Sequence, residues 1–374
     1  MSAGSADYRS AGVDYDALDR AKRSAIAGAL ATSPLLAARG GQALDASRGE
    51  PAFAFQLGER CLAFVVEGLG TKSMIARALL ESHGIDRFAD VAYDTVAAIL
   101  GDLCCVGALP LVVNAYFATG GSDWYARGPR AASLLAGWRR ACEDAGCAWG
   151  GGESPSLAGL VADGEVELAG AAVGAVPQGR EPILGERLKP GDEIVLVASS
   201  GLHANGASLA RVLAERLPVG YATPLPSGRS FGEALLDPSA MYVGLLERLL
   251  EAAVPITYLS HITGHGLLKL MRRPQPLTYR IATLPQVPEV LSFMVERAGM
   301  APAQAYSTFN MGAGYAVYCE PGSAERVVGL AGQLGLRALL AGAVEAGPRR
   351  VILEPLGVVY EGAQLEFSGS ADTT

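Results

Sequence analysis

The sequence lacks the short signatures that most often settle a function. No Walker phosphate loop and no GxGxxG turn opening a strand–helix unit occurs. Cysteine is scarce. The six, Cys61, Cys104, Cys105, Cys142, Cys147 and Cys319, include no CxxC pair, so neither a disulfide scaffold nor a spaced zinc site is expected. They read as reduced, mostly buried thiols of a cytoplasmic protein. Charge is scarce too. Only 18% of residues are charged against 50% hydrophobic, a balance that points to a globular chain and away from a disordered one. The net charge of −8 argues against a nucleic-acid partner, which favours a basic surface. The first seven residues hold no apolar signal segment. One uncharged run, Leu103 to Ser122, is long enough to span a bilayer, but Pro110, Asn114 and several glycines interrupt it. It is expected to be a buried helix end, a turn and a strand, with no membrane partner.

What is present is enough chain, 374 residues, for two domains with a sizeable core. Strand-like and helix-like segments alternate throughout, which points to α/β or α+β layers. Strands are expected near 61–66, 109–116, 166–176, 193–198, 255–260, 315–319, 338–344 and 350–354. Helices are expected near 17–30, 74–81, 91–104, 129–145, from 206 through 211, 239–252 and 321–335, with Ser73 a candidate cap for the second. Residues 31–60 and 217–236 read as irregular. Prolines and glycines over 177–190 suggest a boundary, dividing an N-terminal domain, 1–176, from a C-terminal one, 177–374. A mobile tail is expected from about residue 362.

Candidate chemistry collects at strand ends. Glu67-Gly-Leu-Gly-Thr-Lys72 follows the first strong strand. Acidic groups, a lysine and glycine turns suit an anion held through a divalent metal. Asp94 and Asp102 lie eight residues apart, about 12 Å along a helix axis with about 80° of rotation, so one ion cannot take both. Trp149-Gly-Gly-Gly-Glu153 reads as a sharp turn or a close approach to a ligand, with Glu153 as the candidate ligand and an ordinary turn acid as the alternative. Ser199-Ser-Gly-Leu-His-Ala-Asn-Gly206 can present backbone N–H groups to an anion. His203 there can donate to a phosphate or move a proton, or can be a satisfied structural residue. His261 and His265 have the i, i+4 spacing of a helical metal pair, but Gly264 between them makes a turn the better expectation.

Taken in order, these pieces resemble the phosphoribosylformylglycinamidine cyclo-ligase family, the aminoimidazole ribonucleotide (AIR) synthetases. They are Tyr8…Ala11-Gly-Val-Asp14, Gly68…Gly70-Thr-Lys72, Asp94 with Asp102, Gly107-Ala…Pro110-Leu, Ala118-Thr-Gly120, Gly151-Gly-Glu153, Ser199 to Gly206, His261…Thr263-Gly and Thr308-Phe-Asn310…Gly312. The resemblance spans about residues 8–355. It implies a two-domain α/β (α+β) fold, the N-terminal domain forming a dimeric β-barrel-like sheet and the C-terminal one an α/β sandwich. It further implies a homodimer acting on a small-molecule ribonucleotide, with ATP and Mg²⁺. By position, Lys72, His203 and Lys22 are the catalytic candidates. Glu67, Lys72, Asp94, Asp102 and Glu153 are the nucleotide candidates, with the four carboxylates as metal ligands. Ser199, Ser200, His203, Asn205, Thr308 and Asn310 are the substrate candidates.

The chain also departs from the family pattern. Glu67 stands for an Asp, Gly101 for the Asn of an Asn-Asp pair, Ser156 for a second Glu and His265 for a glycine. A glycine-rich loop with a phenylalanine is not evident in 31–60. The resemblance therefore implies a divergent cyclo-ligase. Two alternatives stand beside it: an ATP-dependent enzyme of the same superfamily with another substrate, and a non-catalytic nucleotide-binding scaffold. The first 60 residues hold no cysteine, against a selenophosphate synthetase.

Overall fold

The computed structural model describes residues 25–365; Lys22 and the Tyr8–Asp14 motif lie outside them. Two sheets form the frame. The first contains β1 (Gly41–Ala43), β2 (Phe53–Leu57), β3 (Arg60–Gly68), β4 (Leu109–Thr119), β5 (Ala148–Glu153) and β6 (Val166–Ala175), in the order β1-β2-β3-β6-β4-β5. All neighbours are antiparallel except β4 and β5. It is an open sheet, so the expected barrel is not closed within one chain. Its inner face follows from period-two alternation. Cys61, Ala63, Val65, Val113, Ala115, Phe117, Leu168 and Ala172 are buried, packed beneath the Phe88–Cys104 and Arg130–Ala145 helices.

The second sheet contains β7 (Glu193–Ala198), β8 (Ile256–His261), β9 (Leu277–Ile281), β10 (Ala313–Cys319), β11 (Ala338–Ala346), β12 (Arg350–Leu353) and β13 (Val358–Glu361), in the order β13-β12-β9-β11-β7-β10-β8. Only β12 and β9 run parallel. The interior strands β7 and β10 are apolar along their length and almost wholly buried, as expected for strands covered on both faces. Among the described residues no helix is long and apolar enough to cross a membrane. All six cysteines are free and five are buried, Cys147 being half-buried.

Several expectations need correction. Residues 31–60 carry β1 and β2, and the 217–236 stretch contains a short helix, Phe231–Leu235, with a Ser230–Glu233 capping box. The helix at Lys72–His83 starts at Thr71, so Ser73 lies inside it and caps nothing. The chain beyond 358 is tied down through its described part: Arg349 donates to the carbonyls of Gly362 and Leu365, and Leu365 is buried. The Trp149–Glu153 glycines form a strand. A Cβ at Gly152 would lie 2.0 Å from the Ala115 carbonyl oxygen and one at Gly150 2.4 Å from Asn114 Oδ1. Glycine is required because β5 lies so close to β4 across a bulge.

Candidate active site at the domain junction

The two sheets meet through polar residues that the sequence spreads over nearly 250 positions. Lys72, on the first turn after β3, has no exposed surface. Its Nζ sits 2.5 Å from Asp94 Oδ2 and donates to the His203 carbonyl oxygen at 2.9 Å. Asp94 Oδ1 accepts the Ser239 N–H at 2.6 Å. One buried ion pair from the first domain thus fixes two loops of the second. Thr71 and Ser208 hydroxyls meet alongside at 3.0 Å. A buried pair needs its remaining hydrogen bonds satisfied to offset desolvation, and the C-terminal loops supply them. Lys72 and Asp94 therefore act as a brace between domains. Both side chains are closed off from solvent; Lys72 is a catalytic candidate of the sequence and Asp94 a metal candidate.

Two turns further along the same helix, Asp102 Oδ1 accepts from His261 Nδ1 at 2.7 Å, across the junction. Gly101 makes this possible. A Cβ there would lie 2.6 Å from His261 Cε1 and 2.8 Å from Nδ1. Burial pushes the Asp102 carboxyl up, but the His261 hydrogen bond and charge, helped by Lys269 and Arg272, outweigh it and hold the pKa at about 2. Glu67, at the end of β3, retains exposed surface. The protein crowding around it, and next the Asp102 carboxylate, nevertheless push it up to about 7, against the pull of Lys269. Lys269 is buried, and its ammonium donates to the Thr263 hydroxyl. Burial lowers its pKa, while Asp102 and Glu67 work in the opposite direction.

The Ser199–Gly206 loop is held from beneath. Ser199 Oγ donates to Asn310 Oδ1 at 2.8 Å, and Asn310 Nδ2 donates to the carbonyls of Gly201 and Leu202 at 2.9 and 3.2 Å. Asn310 Oδ1 also takes the Gly312 N–H. Asn310 and Thr308 are buried, so Asn310 shapes the loop. His203 is buried at a positive φ of 62°. Its Nε2 accepts the backbone N–H of Ser200 at 3.1 Å and faces that of Ala240 at 3.5 Å. A backbone N–H can only donate, so Nε2 carries the lone pair and the ring proton sits on Nδ1. Burial, then the His261 and Lys72 charges, lower the pKa to about 3. A neutral ring brings no positive charge to a phosphate, and its one donor is the Nδ1 N–H. Ser200 and Asn205 are exposed.

Above this loop lies a cleft of ≈ 370 Å³ lined by Ser199, Ser200, Arg229, Asp237, Gln286 and Arg337, among others. Arg229 is paired with Asp237 at 2.8 and 2.5 Å. Arg337 donates to Gln286 at 3.1 Å. The cleft offers two guanidinium groups and serine hydroxyls beside two carboxylates, Asp237 and Glu289; the arginines are the groups that suit an anion. The arginines sit on segments with no motif, and only the fold brings them to Ser200. Lys269 and Ser239 escaped sequence reading for the same reason.

The four carboxylates expected to hold Mg²⁺ do not converge. Asp94 is paired with Lys72, Asp102 with His261, and Glu153 lies exposed on the edge strand β5, where Oε1 accepts the Ser154 N–H at 3.2 Å. Among the described residues no group of three or more His, Cys, Asp or Glu side chains is placed to hold a metal ion. His261 and His265 form no helical pair: His261 ends β8, and His265 has a φ of 69° in the turn after it.

Comparison with known proteins places this geometry. Residues 49–176 match the model of the AIR synthase related protein N-terminal domain, and residues 189–354 match that of its C-terminal domain. A phosphoribosylformylglycinamidine cyclo-ligase from Anaeromyxobacter dehalogenans strain 2CP-1 is 38% identical over 293 residues, 77% of this chain and 81% of the relative. One from Anaeromyxobacter sp. strain Fw109-5 is 37% identical over 350 residues, 91% and 96% of the two chains. A crystal structure of the hydrogenase maturation protein HypE in complex with ATP shares the fold, with a TM-score of 0.56 and 18% identity over 80% of this chain and 83% of that one. Both family models fall in order across the chain, and relatives of one kind match it nearly end to end: the chain belongs to the AIR synthase related family, among the phosphoribosylformylglycinamidine cyclo-ligases.

Proposed function

We propose that this protein closes an imidazole ring, converting formylglycinamidine ribonucleotide and ATP into 5-aminoimidazole ribonucleotide, ADP and phosphate in purine biosynthesis. The observation that carries this is the 37% identity over 350 residues to a cyclo-ligase, covering 91% of this chain and 96% of that relative. An amide oxygen is a poor leaving group. It attacks the γ-phosphorus, ADP departs, and the oxygen becomes part of a phosphate ester. An amidine nitrogen then adds to the activated carbon, phosphate leaves with that oxygen, and loss of a proton completes the ring. Little covalent chemistry falls to the protein, whose task is positioning and charge stabilisation. The cleft at Ser199 and Ser200, with Arg229 and Arg337, suits the ribose phosphate. His203 and Asn310 set the shape of that loop, and the Lys72–Asp94 brace sets the distance between the domains. No step is assigned to a metal held by the four carboxylates. The test is turnover by the purified protein: ADP release that depends on formylglycinamidine ribonucleotide, matched by aminoimidazole. ADP release that never depends on it would end this reading.

A second reading, an ATP-dependent enzyme of the same superfamily with another substrate, draws support from the altered Glu67, Gly101, Ser156 and His265. The same assay separates the two.

The active form is a homodimer in this proposal. Phe53, Phe55, Phe64, Val66, Leu111 and Val112 lie on the outer face of the first sheet, with Phe64, Val66 and Leu111 exposed at 41%, 62% and 49%. An uncovered apolar sheet face of this extent calls for a partner. A second copy facing the first supplies one and completes the barrel-like sheet.

A further inference from the structure

The charges around Asp102 bear on how this chain deals with its acidic cluster, whatever the substrate. We infer that His261 and Lys269 are the built-in partners of Asp102 and Glu67, that Gly101 provides the room for His261, and that these two carboxylates therefore carry no divalent ion.

Three observations converge. First, the His261 ring fills the volume a side chain at 101 would occupy, and its Nδ1 lies 2.7 Å from Asp102 Oδ1. That oxygen is already used. His261 cannot swing away easily, since it is buried against Tyr242 and Tyr315 with ring centroids 6.2 and 5.9 Å away. Second, Lys269 is buried, and its charge acts on both acids, pulling the pKa of the Asp102 and Glu67 carboxyls down. Its backbone is pinned, because the Lys269 carbonyl accepts the Ser260 hydroxyl at 3.1 Å and the Leu270 carbonyl accepts the Tyr318 hydroxyl at 2.8 Å. The side chain reaches only a hydroxyl, that of Thr263, so the carboxylates nearby are what balance its charge. Third, the remaining acids that would complete an ion's shell are elsewhere, Asp94 in its own ion pair and Glu153 on the edge strand. A divalent ion at Asp102 would have to displace a histidine and approach a fixed positive charge, which is unfavourable at short range in a buried site. Lys269 is thus a positioning residue. It and His261 hold the carboxylate pair in place without a metal.

The test is Mn²⁺ binding to the full chain without nucleotide, followed by electron paramagnetic resonance. Wild type and Asp102→Asn are expected to bind Mn²⁺ equally. Lys269→Met removes the fixed cation and should raise Mn²⁺ affinity by about tenfold or more. That gain should vanish in Lys269→Met with Asp102→Asn and be absent in Lys269→Arg. A wild-type Mn²⁺ site that disappears in Asp102→Asn overturns the inference, and so does a folded Lys269→Met with no gain. If Lys269→Met fails to fold, the comparison of wild type with Asp102→Asn still decides.

Discussion

Single residues carry much of what separates this chain from the family pattern. Gly101 is the clearest case. By sequence it is only a missing asparagine. In the fold it is the space into which His261 packs. Gly101→Ala forces a buried ring to shift and should lower stability by about 1–3 kcal/mol, as overpacking does in close-packed interiors. Urea denaturation checks this, and an unchanged midpoint would mean the ring moves freely. His203 makes a prediction about pH. Its folded pKa of about 3 lies below the ordinary 6.5, so the unfolded chain binds the proton first. Its contribution is complete above pH 6.5 and is lost as pH falls toward 3. His203→Gln removes the titrating group, so its stability should fall less steeply over that window. Parallel curves for the two proteins would contradict the assignment.

At the scale of elements, period and punctuation carried the sequence reading a long way. β7 was legible to the residue, because Glu193–Ala198 is a continuous apolar run between turn signals. The helices at Phe88–Cys104 and Arg130–Ala145 were legible from their apolar periodicity. What failed has a common cause. β5 looks like a turn because three glycines favour turns, yet here they permit tight strand contact, and only the neighbouring strand reveals that. β1 is a short edge strand and β2 its short neighbour, in a stretch rich in small residues. The site was half legible. Motifs pointed to Asp102, His203, His261, Asn310 and the 199–206 loop, but not to which of them pair. A hydrogen bond such as Asp102 to His261 spans 159 positions, and no local pattern encodes it. Lys72 and Asp94 were picked out for chemistry by their match to the family motifs. In the fold they are buried against each other and join the two halves.

At the scale of the molecule, that brace joins the two halves. Asp94→Asn leaves the Lys72 charge buried without its counter-ion and should cost about 3–5 kcal/mol. Thermal unfolding checks this, and a loss below about 1 kcal/mol would show that the pair is dispensable. The outer face of the first sheet gives a second prediction at this scale. Phe64→Glu places a charge in the middle of an apolar surface and should convert a dimer to a monomer in analytical ultracentrifugation. A variant that sediments as wild type does would remove this face from the interface.

The central claim is that an amide oxygen is activated by phosphorylation and leaves as phosphate. The most direct measurement supplies formylglycinamidine ribonucleotide labelled with ¹⁸O at the formyl oxygen, together with ATP, and follows the label by mass spectrometry. The account predicts that every aminoimidazole formed is matched by one inorganic phosphate carrying the label. Aminoimidazole with unlabelled phosphate and labelled water would contradict it.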